Sequence, residues 1–100
     1  MKAPSPADLK ILDPDGSFRE RLEADRRRLA ELSDDGDREK LRRVVHGLAG
    51  AAGTFGYAEI GDVAIALDDI FAAGERVLPV DLARLVTALE QALGKPEKSA

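Results

Sequence analysis

The chain has 100 residues, 44% of them apolar and 34% charged, with no cysteine. That composition suits one small domain with a single core, and it excludes disulfides, thiolate nucleophiles and cysteine-based metal sites. With 15 Lys and Arg against 19 Asp and Glu the net charge is −4, so the basic surface that a sequence-independent nucleic-acid binder needs is lacking. Met1-Lys2-Ala3-Pro4-Ser5-Pro6 leads into charges rather than an apolar run, and no apolar stretch approaches the length of a membrane span. A cytoplasmic protein with no membrane and no nucleic-acid partner is expected.

Helix signals dominate. Ser5 followed by Pro6 and Asp8 resembles a helix start, which predicts a short helix to Ile11 or Leu12, ended by the turn Asp13-Pro14-Asp15-Gly16. Ser17 and Glu20 have the spacing of a capping box, and Phe18, Leu22, Leu29 and Leu32 line one face of a first long helix. On its polar face Arg26-Arg27-Arg28 is interleaved with Glu20, Glu23, Asp25 and Glu31, the pattern of a solvated surface rather than of a phosphate patch. Ser33 to Asp37 reads as a loop, with Asp37 as the N-cap of a second long helix running to about Phe55 before Gly56.

A third helix is expected from about Tyr57 to Ala73, with Ile60, Val63, Ala64, Leu67, Ile70 and Phe71 as its apolar stripe and Gly74 as its stop. After Val77-Leu78-Pro79, a fourth carries Leu82, Leu85, Val86, Leu89 and Leu93 before Gly94 and Pro96. Short connections force successive helices to run antiparallel. The predicted fold is therefore all-α, an antiparallel up-down-up-down four-helix bundle with a short extra N-terminal helix. It would be a single domain over 1–100, with the bundle at about 17–93 and a polar tail over 94–100. Four helices suffice to close one core, so a monomer is expected, and the chain reads as free-standing.

The second helix holds the one histidine of the sequence, His46. At about 100° per residue, Val44, Leu48 and Phe55 fall opposite it, with Leu41, Ala51 and Ala52 flanking them, so His46 faces water. Gly50 and Gly53 fall within about 40° of the histidine, with Ala49 and Arg42 on one side and Arg43 on the other. Each glycine inside a helix costs roughly 0.5–1 kcal/mol relative to alanine. Close packing explains Gly47, which lies off the histidine face. For Gly50 and Gly53 the better explanation is that another protein must approach the imidazole closely.

Metal binding is disfavoured, because no second His or Cys completes a ligand set. A Ser-His-Asp arrangement is also unsupported, since Ser5, Ser17, Ser33 and Ser99 fall at predicted caps, loops or the tail. An exposed imidazole can still act as a nucleophile toward a phosphoryl group delivered by another molecule.

The segment His46-Gly47-Leu48-Ala49-Gly50-Ala51-Ala52-Gly53-Thr54-Phe55-Gly56 resembles the signature H-x-L-K-G-[SA]-x-x-x-[LIF]-G of histidine-containing phosphotransfer (HPt) domains, and Ile60, Ala64, Leu67 and Asp68 fit its continuation. With the helix count, the resemblance covers residues from about 17 to 93. It implies a histidine that accepts a phosphoryl group from a sensor or hybrid histidine kinase or from a receiver aspartate and passes it to a response-regulator receiver domain. One departure is Ala49, where the family usually has lysine; Arg42, one turn earlier on the same side, is the candidate replacement, with Arg43 flanking from the other side. Val45, Ala49, Gly50 and Gly53 are expected to contribute to the docking patch, joined by Leu9, Ile11 and Leu12 or with those three capping the bundle.

No cofactor is expected on this chain. Mg²⁺ would belong to the receiver partner, and the sequence has no GxxxxGK[ST] loop for ATP, so a phosphocarrier rather than an autokinase is expected. The alternative is a non-catalytic helical adaptor that binds a signalling protein and for which His46 is dispensable. A small DNA-binding domain using Arg26 to Arg28 with Arg42 and Arg43 is opposed by the net acidity.

Overall fold

The computed structural model describes residues 12–32 and 34–94, with the side chains of 34 and 35 outside that description. Four helices follow one another: α1 (Ser17–Glu31), α2 (Asp34–Ala51), α3 (Ala58–Ala72) and α4 (Pro79–Leu93). No strand occurs among the described residues. The expected short N-terminal helix, with Leu9 and Ile11, lies outside them; Leu12 is partly exposed.

Cross-links between helix ends show that neighbours run antiparallel. Arg19, near the start of α1, donates from Nη2 to the Leu93 carbonyl at the end of α4 (2.6 Å), where a cation also complements the helix dipole. Arg38, near the start of α2, donates to the Glu75 carbonyl just beyond α3 (2.8 Å) and lies over the Phe71 ring. Gly61, near the start of α3, sits against the backbone of Gly53, just beyond α2: a Cβ on Gly61 would lie 3.4 Å from the Gly53 nitrogen. The sequence-predicted up-down-up-down bundle is the observed one.

The core is built almost wholly from the predicted stripes. Phe18, Leu22 and Leu29 of α1 meet Leu41, Val44, Val45 and Leu48 of α2, with Ile60, Ala64, Leu67 and Phe71 of α3 and Leu85, Ala88, Leu89 and Leu93 of α4. Phe18 stacks on Phe55 at 4.2 Å between ring centres and tilts against Tyr57, which ties the start of α1 to the α2–α3 turn.

Three local readings are corrected. Ser17 does not cap α1. It lies in the first turn, Gly16 is the N-cap at φ 74° and makes no side-chain cap, and the free amides of Phe18 and Arg19 donate to the Asp13 carboxylate (3.1 and 3.0 Å). A carboxylate reaching back from the preceding turn meets the two amides with separate oxygens. The second correction is the end of α2: it stops at Ala51, and Ala52 to Gly56 form a turn in which Tyr57 N donates to Ala52 O (2.9 Å) and Gly56 takes φ 93°. Gly53 is therefore a turn residue. Third, Asp25 is buried rather than solvated, at 3% exposure.

The start of the main run of α2 was placed at Asp37, and there the helix breaks, with φ −125° and ψ 27°. Downstream, α4 opens with Leu78 N donating to Asp81 Oδ2 (3.0 Å) and closes on Gly94 at φ 74°.

Candidate functional site

His46 stands on the outer face of α2, its side chain 69% exposed. The antiparallel register that sets Gly61 against Gly53 brings Asp68 of α3 level with it, and His46 Nδ1 lies 3.1 Å from Asp68 Oδ2. A carboxylate oxygen accepts, so Nδ1 carries the proton in this pair. In the neutral ring the unshared electron pair is then on Nε2. The pair thus sets the ring orientation and favours the tautomer in which the Nε2 electron pair is unshared.

Around the imidazole the surface is bare. Gly50 and Gly53 are exposed, and a Cβ on either would meet nothing within 4 Å. Neither glycine is needed for packing by its own missing side chain. Gly47 differs: a Cβ there would lie 2.5 Å from Arg21 Nη2, the end of a flexible side chain that would have to move aside.

Arg42 is exposed one turn before His46, and its Nη2 and Nε donate to Glu39 (3.0 and 3.4 Å). The bond to Glu39, then the charge of Glu39, and the more distant charge of Asp68 hold the Arg42 guanidinium above its usual pKa. The same contacts, led by the hydrogen bond from Arg42, hold the Glu39 carboxyl below its usual range. Arg43 is 3.7 Å from the same carboxylate. Both cations lie near the histidine face, and both share Glu39.

Of the residues expected in the docking patch, Gly50 and Gly53 are exposed and Ala49 is partly buried against the core. Val45 is excluded from that surface, since it is fully buried. It lies about 100° from His46, which is far enough round the helix to fall under α3. Sequence reasoning missed two residues of α3. Asp68 was aligned with an acidic position but not paired with the histidine, and Ile65, one turn before Asp68, is 49% exposed, a large apolar side chain at the level of Ala49. The signal was present in the tight 52–57 turn: a short antiparallel hairpin fixes which residues of its two helices stand level.

A family model for the Hpt domain matches residues 16–95. The chain belongs to the Hpt domain family. No curated protein and no solved structure is significantly similar to it. Membership makes the Hpt chain a participant in two-component phosphotransfer, through interaction with the kinases and receiver domains of such systems. Among the described residues no helix is long and apolar enough to cross a membrane.

Proposed function

We propose that this Hpt domain is a phosphocarrier whose acceptor is His46 Nε2. The observation that carries the reading is the His46–Asp68 pair on a face stripped of side chains at Gly50 and Gly53. In the forward step the Nε2 electron pair attacks the phosphorus of a receiver's phosphoaspartate in line. The N–P bond forms as the P–O bond to the aspartyl carboxylate breaks, and the carboxylate leaves with the bonding pair. The ring becomes cationic, and its Nδ1 proton stays in place against Asp68, whose charge offsets the one that develops. Delivery to a second receiver is the same step reversed.

Catalysis of this kind rests on positioning and charge neutralisation. Mg²⁺ belongs on the receiver side, and this chain supplies the acceptor and the docking surface without binding ATP. Ile65, Ala49, Gly50 and Gly53 form that surface, with Arg42 and Arg43 at its edge. A monomer acting in the cytoplasm fits this role.

The test is phosphorylation of the purified protein by phosphoramidate, read by intact mass and acid lability beside His46→Gln. One acid-labile phosphoryl group on the wild type and none on the variant supports the carrier. A folded wild type that takes up none supports a non-catalytic adaptor.

A further inference from the structure

Gly47 lies next to His46 in the interior of α2, and the end of the Arg21 side chain lies close over it. Arg21 of α1 lays its guanidinium over it, with Nη2 2.5 Å from where a Cβ would stand. Arg21 is held in that position from below. Its guanidinium lies 5.7 Å from the centre of the Phe18 ring, and its Nε is 3.6 Å from Oδ2 of Asp25, a carboxylate 4% exposed. That oxygen makes no hydrogen bond among the described residues; Arg28 bonds the other one at 3.3 Å. The contact between Arg21 and Asp25 is thus a loose one, and the Arg21 side chain is 45% exposed.

Beside His46, Gly47 and, one turn on, Gly50 put no side chain on α2, and Gly50 has open space above it. His46 is therefore flanked by a carboxylate on the α3 side and by a guanidinium on the α1 side. Resting on the phosphocarrier reading, we propose that Arg21 is the positioning cation of this site: it moves across the glycine strip onto the phosphoryl group at Nε2. Arg42 is less free to do so, because Glu39 holds it at 3.0 Å. A planar fork of donors matches the phosphoryl oxygens in pairs. A dianionic group on the exposed face is a stronger partner for Arg21 than an oxygen of Asp25 at 3.6 Å.

The test compares wild type, Arg21→Gln, Arg21→Lys, Gly47→Ala, Arg42→Gln and His46→Gln, with folding checked by circular dichroism. The readouts are the phosphoramidate reaction rate and the side-chain Nε–H resonances of arginine before and after phosphorylation. The expected result is about a tenfold slower reaction for Arg21→Gln, partly restored in Arg21→Lys, because one donor to the developing charge is lost at a solvent-exposed site. Gly47→Ala, which keeps the charge but displaces it, is also slowed. The Arg21 resonance shifts on phosphorylation of wild type and not in His46→Gln.

A role as a mere strut between α1 and α2 would change thermal stability and leave the resonance where it was. If Arg21→Gln, or Arg21→Lys and Gly47→Ala should that variant not fold, react at the wild-type rate with an unmoved Arg21 resonance, the proposal is overturned while the carrier stands. A wild type that takes no phosphoryl group overturns both.

Discussion

His46 and Asp68 stand level on the α2–α3 hairpin, Nδ1 to Oδ2 at 3.1 Å, and this one contact orients an otherwise exposed imidazole. A free imidazole divides its proton between two nitrogens. Here the carboxylate holds the proton on Nδ1, and Nε2 is left bare toward the face that Gly50 opens.

Asp68→Asn is expected to slow phosphoryl uptake by at least about tenfold, since an amide can donate to Nδ1 and favour the wrong tautomer. Asp68→Ala, which imposes no tautomer, should be less impaired. Histidine ¹⁵N shifts check the tautomers, and the phosphoramidate rate checks the consequence. Equal rates in all three proteins would reduce the pair to a surface contact.

Gly50 separates docking from chemistry. Nothing lies within 4 Å of the position its Cβ would take, so Gly50→Leu should leave the fold intact and raise stability by up to about 1 kcal/mol through helix propensity. The small donor phosphoramidate should still react. Transfer to a receiver domain should fall sharply, because a bulky side chain holds the partner away from Nε2; the ratio of the two rates is the measurement.

Asp13 is the cap of α1. Asp13→Ala frees the amides of Phe18 and Arg19, with an expected loss of roughly 0.5–2 kcal/mol. At about 4–8 °C per kcal/mol for a domain of this size, the shift is readable by thermal melting. Ser17→Ala, which removes the hydroxyl of the residue whose sequence suggested a cap, should cost far less.

Asp25 has a defined sign with pH. Burial raises its pKa, against the opposing charges of Arg21 and Arg28, so the folded state favours the protonated acid. Its contribution to stability is present below the ordinary carboxylate pKa and lost as pH rises through the raised value. Urea unfolding at a series of pH values should show that loss in wild type. Asp25→Asn should flatten this part of the profile.

The sequence made the helices legible because their stripes are regular: the faces read from α3 and α4 are the faces buried. The outward turn of His46 and Gly50 followed from the same periodicity, whereas Gly53 is exposed in the turn beyond α2. What it concealed depends on contacts between elements. Asp25 has the composition of a surface residue, and its burial depends on tertiary packing that the pattern of α1 alone does not carry. Asp13 outcompeted Ser17 because a turn of unpredictable geometry aimed two oxygens at free amides. Val45 lies at the edge of the core stripe, where its fate was decided by α3. Asp68 needed the hairpin register, which a wheel drawn on one helix does not contain.

The central claim is that His46 carries a phosphoryl group on Nε2. The most direct measurement is ¹⁵N and ³¹P NMR of the phosphoramidate-treated protein, with ¹⁵N-labelled histidine reporting which ring nitrogen is bonded to phosphorus. The account predicts one N–P bond, at Nε2 of His46, with Nδ1 still protonated. A bond at Nδ1, or a phosphoryl signal that persists in His46→Gln, would contradict it.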